Sequence, residues 1–97
     1  MAMVVGDIAV LPRAKETQGL GELVEAAINV IKASGLKYEV DAMSTAVEGE
    51  FDEVMDLFKR VHRAVMDTGT DRLVTIMRVD EKRGGVTIEE KVSSFRQ

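Results

Sequence analysis

Tyr38-Glu39-Val40-Asp41-Ala42-Met43-Ser44-Thr45-Ala46-Val47-Glu48-Gly49-Glu50 alternates apolar and polar side chains on both sides of its Met-Ser-Thr step. Alternation with a period of two is the pattern of a half-buried strand. The stretch therefore reads as two short strands that fold back on each other. A helical pattern begins just after Gly49-Glu50, and a second one ends just before the stretch. Each of these helical segments borders a further strand.

Working outward, Leu36 to Ala42 is the second strand, with Tyr38, Val40 and Ala42 on one face and Lys37, Glu39 and Asp41 on the other. The third strand is roughly Ser44 to Glu48. Upstream, the first helix is expected from about Gly19 to Ser34. Leu20, Leu23, Val24, Ala27, Ile28 and Ile31 repeat at three-four spacing there, and Gly35 supplies a left-handed stop. Residues 13–18 are a polar loop. Residues 3–11 make the first strand, which Pro12 should end because proline cannot donate to a ladder. Val4, Gly6, Ile8 and Val10 share one face of it, and Val5, Asp7, Ala9 and Leu11 the other.

Downstream, the second helix should run from about Phe51 to Thr68, with Phe51, Val54, Leu57, Phe58, Val61 and Val65 as its stripe and Gly69 as its stop. Arg72 to Asp80 is the fourth strand, and Arg83-Gly84-Gly85 is a turn. Thr87 with Glu90 three residues later has the form of a capping box. Ile88, Val92 and Phe95 give a short last helix its apolar side. The order strand, helix, strand, strand, helix, strand, with right-handed crossovers, specifies an α+β fold: a ferredoxin-like βαββαβ sandwich. It has an antiparallel four-stranded sheet, two helices on one face and a short C-terminal helix. Residues 1–97 read as a single domain.

In this arrangement the sheet face away from the two helices carries Val5, Ala9, Leu11, Val74 and Ile76. Those are too many apolar side chains to leave together in water. Asp7, Glu39 and Arg78 lie among them. A second copy of the chain packed sheet on sheet would cover such a mixed face, so a homo-oligomer with closed symmetry is expected. The last helix is free, in this reading, to make a second interface.

Composition narrows the function classes. Cysteine is absent, so disulfides, thiolate metal sites and cysteine nucleophiles are excluded. The single histidine, His62, leaves no room for a multi-histidine metal site. A net charge of −4 with both signs dispersed argues against a nucleic-acid backbone binder. No apolar run approaches a bilayer span, and the N-terminus lacks a basic leader. The expectation is a cytoplasmic protein with no nucleic-acid or membrane partner and no cofactor.

Several side chains carry chemistry, each with a plainer alternative. Asp7, Glu39 and Asp41 read either as a carboxylate pocket for a cation or as ion pairs to Arg78 or Lys37. Ser44 and Thr45 suit a ligand with ring nitrogens and an amino group, or they bond neighbouring backbone in a turn. His62 lies at the edge of the second helix's stripe, with no nucleophile motif beside it, and reads as a half-buried structural residue. Met43, Met55, Met66 and Met77 read as gap fillers. Other occupants of this fold lack their signatures here. There are no aromatic residues on the first and fourth strands for RNA, no Cys-x-x-Cys for a heavy metal, and no glycine-rich phosphate cradle. No acid-base pair or nucleophile constellation points to an enzyme.

A run of short segments in fixed order carries a family resemblance across nearly the whole chain. They are Asp7 to Pro12, Gly35 to Val40, Met43-Ser44-Thr45, Glu48-Gly49, Phe51 to Met55, the segment after His62, Arg72 to Thr75, and Arg78 to Arg83. Together they resemble the small thiamine-binding proteins, single-domain relatives of the YkoF-like proteins. The one departure is Glu50, where an aspartate would make a better helix cap.

The resemblance implies sheet-on-sheet dimers that pair into tetramers. It also implies binding of thiamine or its hydroxymethylpyrimidine half without catalysis, at or near a subunit interface. The candidate ligand residues are Asp7, Glu39, Met43, Ser44, Thr45 and Ile76, with Val5 as a further apolar wall. A regulatory domain for another metabolite and a purely structural oligomer remain alternatives.

Overall fold

The computed structural model describes residues 2–13 and 19–96. The elements follow in the order β1 (Val4–Pro12), α1 (Leu20–Ala33), β2 (Lys37–Val40), β3 (Thr45–Gly49), α2 (Phe51–Met66), β4 (Leu73–Asp80) and α3 (Ile88–Val92). All sheet pairings are antiparallel, in the order β2-β3-β1-β4. This is the expected ferredoxin-like α+β fold. The polar loop expected over 13–18 falls, apart from Arg13, outside the described residues.

The inward alternation of β1 builds the core. Val4 and Ile8 are buried against Leu23, Ala27 and Ile31 of α1 and against Val54, Leu57, Phe58, Val61 and Val65 of α2. Burying one such side chain contributes roughly 1.5–3 kcal/mol. The stripe of α2 is buried as expected except at Phe51, which is exposed. That of α1 is narrower, because Leu20 and Val24 stay open to solvent. Glu50 caps α2 through a reciprocal box, its amide donating to Glu53 Oε1 at 3.2 Å. A glutamate therefore caps this helix adequately.

Three expectations need correction. Pro12 is the last residue of β1 and does not break its pairing: it pairs with Leu73, and Arg13 N–H still donates to Arg72 O at 2.8 Å. In an antiparallel pair hydrogen-bonded and non-bonded positions alternate. Pro12 occupies a non-bonded position toward β4, where its missing N–H costs nothing. The second strand is shorter than expected, ending at Val40. Asp41 N–H donates to Ser44 O at 2.8 Å and closes a tight turn over Ala42 and Met43.

The third correction concerns the open face. It is not bare along its whole length, because α3 folds back over one end. Val5, 7% exposed, packs with Val86 and Ile88 in a second small core, flanked by Ala46 and Val92. Thr87 caps α3 by accepting from Glu90 N–H at 3.1 Å. The amide of Ile88 donates to Glu48 Oε1 at 2.8 Å, which ties the helix to β3.

Candidate ligand-binding site

Asp7 lies on the open face of β1, paired across the ladder with Ala46 on one side and Arg78 on the other. Its two carboxylate oxygens have separate partners. Oδ2 accepts a hydrogen bond from the Ser44 hydroxyl. Oδ1 accepts from Arg78, with Nε and Nη2 each at 3.1 Å. The Asp7 side chain is 22% exposed and the Arg78 side chain 75%, so the ion pair is largely solvated and contributes at most about 1 kcal/mol. This is the ion-pair reading of Asp7, with Arg78 as its partner, and it also holds the carboxylate against a hydroxyl from the hairpin turn.

Ser44 lies where the open face meets a cleft. Beyond Ile8, which pairs with Thr45, β1 keeps β4 on one side and has no β3 partner on the other. A cleft of about 230 Å³ opens there, between α1 and the turn formed by residues 41–44. Val10, Val24, Ile28 and Val40 give it apolar walls, and Asp41 and Ser44 stand among its lining. A cleft of this size, below the range for drug-sized ligands, takes a single small ring.

The other expected residues are distributed unevenly. Thr45, next in sequence to Ser44, is 5% exposed and points to the helix side, because successive strand residues alternate faces. It lines the cleft but not the face that carries Asp7. Met43 also lines the cleft and is 87% exposed at the tip of the turn. Ile76 is on the open face opposite Ala9, about half exposed. Glu39 is on that face too, opposite Ala46, but Arg96 Nη1 occupies it at 2.7 Å.

Arg96 also lies 3.6 Å from Asp41 through Nη2, and sequence reading did not single it out. It is separated from Glu39 by most of the chain, and only the return of α3 across the sheet brings them together. A further groove of about 480 Å³ on the open face is lined by Asp7, Arg78, Asp80 and Lys91. There Lys91 pairs with Asp80. His62 is half-buried, with Nδ1 2.7 Å from Thr75 Oγ1. Among the described residues no group of three or more histidine, aspartate or glutamate side chains is placed to hold a metal. No described helix is long and apolar enough to cross a membrane.

Comparison with known proteins places this geometry in a family. The model of a family described as thiamine-binding protein matches residues 6–96. A UPF0045 protein of Clostridium perfringens is 34% identical over 89 residues, covering 92% of this chain and 93% of that protein. A domain of unknown function, DUF77, from Bacillus cereus superposes with a TM-score of 0.92 at 38% identity, covering 98% of this chain and 91% of that one. A Thermotoga maritima protein, provisionally described as one of thiamine biosynthesis or salvage, superposes with a TM-score of 0.87 at 41% identity, covering 97% of this chain and 99% of that one. With a fold shared over nearly its full length and a family match across residues 6–96, this chain belongs to the thiamine-binding protein family.

Proposed function

We propose that the chain binds thiamine or its hydroxymethylpyrimidine half, without catalysis, where the cleft beside Ser44 meets the open sheet face. That face is then covered by a second copy of the chain, and two such dimers form a tetramer. The Asp7–Ser44 hydrogen bond carries the reading, because it places a carboxylate and a hydroxyl together at the rim of an apolar cleft. An aminopyrimidine has an amino group that donates and ring nitrogens that accept. A carboxylate accepts from the amino group, and a hydroxyl can donate to or accept from either. The apolar walls suit the ring. Asp7, Glu39 and Asp41 lie around this rim, where Arg78 and Arg96 pair with them, and a thiazolium would take the place of an arginine beside them. In a partly dry interface the attraction of carboxylate for cation exceeds its value in water. Family membership and the description of the Thermotoga relative support the same ligand class.

Melting curves with thiamine, hydroxymethylpyrimidine and thiamine phosphate test the assignment. A ligand at about 100 times its dissociation constant adds roughly 2.7 kcal/mol, or about 10–20 °C for a domain of this size. Asp7→Asn should weaken binding of the preferred compound by about tenfold or more, since a charge-assisted hydrogen bond is lost. The unliganded melting temperature should stay nearly unchanged. No shift with any of the three at millimolar concentration removes the proposal. One observation favours a second reading, a purely structural oligomer: Arg78 already balances the charge of Asp7. Under that reading Asp7→Asn alters subunit association and no ligand shifts the melt.

A further inference from the structure

One carboxylate joins two cavities. Asp7 Oδ2 accepts from Ser44, which lines the apolar cleft, and Oδ1 accepts from Arg78, which lines the groove on the open face. That groove, about 480 Å³, also has Val5 and Ala46 in its lining and reaches Lys91 of α3. Its charged members form two ion pairs, Asp7 with Arg78 and Asp80 with Lys91. Their formal charges cancel.

A cation alone gains little from this arrangement. To reach Asp7 it displaces Arg78, so one ion pair is lost as another forms. The freed guanidinium is then left in a groove that already holds Lys91. A ligand that also carries an anion changes the balance. Its positive group takes Asp7, its negative group takes Arg78, and one internal pair becomes two pairs with the ligand. The groove then turns two cations, Arg78 and Lys91, and one carboxylate, Asp80, toward that anion. The Arg78 side chain is 75% exposed, and exposed side chains change rotamer quickly, so it can swing away from Asp7 without disturbing the core. Its Nε and Nη2, which now both approach Asp7 Oδ1, are a pair of parallel donors of the kind that holds a phosphate.

The order of the groups along β1 selects the ligand. Ile8 lines the cleft and Val5 the groove. They are three residues apart, roughly 10 Å at the rise of a strand, with Asp7 between them. A matching ligand has a ring, then a cation, then an anion. Thiamine has an aminopyrimidine, a thiazolium and a two-carbon alcohol arm in that order, and a phosphate on the arm completes the series. A phosphate monoester carries about −1.5 to −2 charges near neutral pH.

We propose that the preferred ligand is thiamine phosphate, and that Arg78 and Lys91 select the phosphorylated form. The pyrimidine enters the cleft, the thiazolium replaces Arg78 at Asp7, and Arg78 and Lys91 hold the phosphate. The assignment rests on the cleft reading given above and adds to it the anionic half of the site.

Calorimetric titration in a phosphate-free buffer with thiamine, thiamine phosphate and ribose 5-phosphate tests it. The unaltered chain should bind thiamine phosphate about tenfold or more tightly than thiamine, from charge-assisted hydrogen bonds to the phosphate. Ribose 5-phosphate, an anion without the cation, should bind about tenfold or more weakly than thiamine phosphate. Arg78→Gln should move the two thiamine affinities in opposite directions. Thiamine phosphate weakens about tenfold. Thiamine tightens by up to about fivefold, because no solvated ion pair has to be broken. Lys91→Met should lower the ratio of the two affinities severalfold, and it decides the question should Arg78→Gln not fold. Thiamine bound as tightly as its phosphate by the unaltered chain overturns the proposal and leaves the cleft reading standing. Ribose 5-phosphate bound as tightly as thiamine phosphate reveals a plain anion site and also overturns it. So does an equal loss of both thiamine affinities in Arg78→Gln, which would make Arg78 a structural residue. Binding of none of the thiamine compounds removes this proposal and the cleft reading together.

Discussion

A Cβ at Gly6 would lie 2.6 Å from Val54 Cγ1 and 2.8 Å from Phe58 Cζ. Both neighbours are fully buried and hemmed in by the rest of the core. Neither has space into which to move, so Gly6→Ala should be an overpacking change costing about 1–3 kcal/mol. For a domain of this size that lowers the melting temperature by roughly 4–24 °C, which calorimetry would show. Gly21, with nothing within 4 Å of its virtual Cβ, is the control, and Gly21→Ala should raise stability if it changes it. Alternation along β1 already put Gly6 on the helix side. How close α2 comes to it was not legible, because interhelical and helix–sheet spacing depends on side chains distant in sequence. The same limit applies to the candidate site. The hydroxyl residues were visible, but Ser44 and Thr45 were grouped as one feature. A strand's pleat separates them: Ser44 reaches Asp7, while Thr45 is buried beneath the sheet.

At the scale of elements, α3 shows what periodicity leaves undetermined. Thr87, Glu90 and the spacing of Ile88 and Val92 specify a short capped helix, and that helix is present. Nothing in that pattern says which surface it covers. A helix of five residues has no independent stability, so its position rests on contacts: Val86 and Ile88 against Val5, and the Glu48 carboxylate accepting from the first helical amide. A carboxylate at a helix N-terminus is favoured by the dipole as well as by the hydrogen bond. Glu48→Ala should free α3, with loss of amide-exchange protection at Ile88 and Val92 and faster proteolysis near the C-terminus. Protection at Val54 and Phe58 in α2 should remain. Equal loss in both elements would mean that α3 and the main core unfold as one unit. Because Arg96 follows α3 and holds Glu39 and Asp41, release of the helix should also leave those carboxylates open to a cationic ligand.

For the whole molecule, α3 divides the open face into a covered end and an uncovered one. The uncovered end holds Leu11, Val74 and Ile76, about half exposed, with Leu11 directly opposite Val74 and Ala9 opposite Ile76. Sequence alternation identified this patch, since inward and outward sets are fixed once the strand pairing is known. It could not show that Val5 belongs to a separate small core. Packing of this patch against the same patch of a second copy, as proposed above, should be broken by a single buried charge. Leu11→Asp lies on an inner strand and touches only the face, so it should lower the mass of the assembly while the far-ultraviolet circular dichroism spectrum stays unchanged. Sedimentation equilibrium reads this directly, and an assembly that survives Leu11→Asp would exclude the face as an interface. Titrating the variant with the pyrimidine ligand then locates the binding site. Affinity should be lost with Leu11→Asp, because under the proposed packing only the face-packed dimer encloses the rim formed by Asp7 and Ser44.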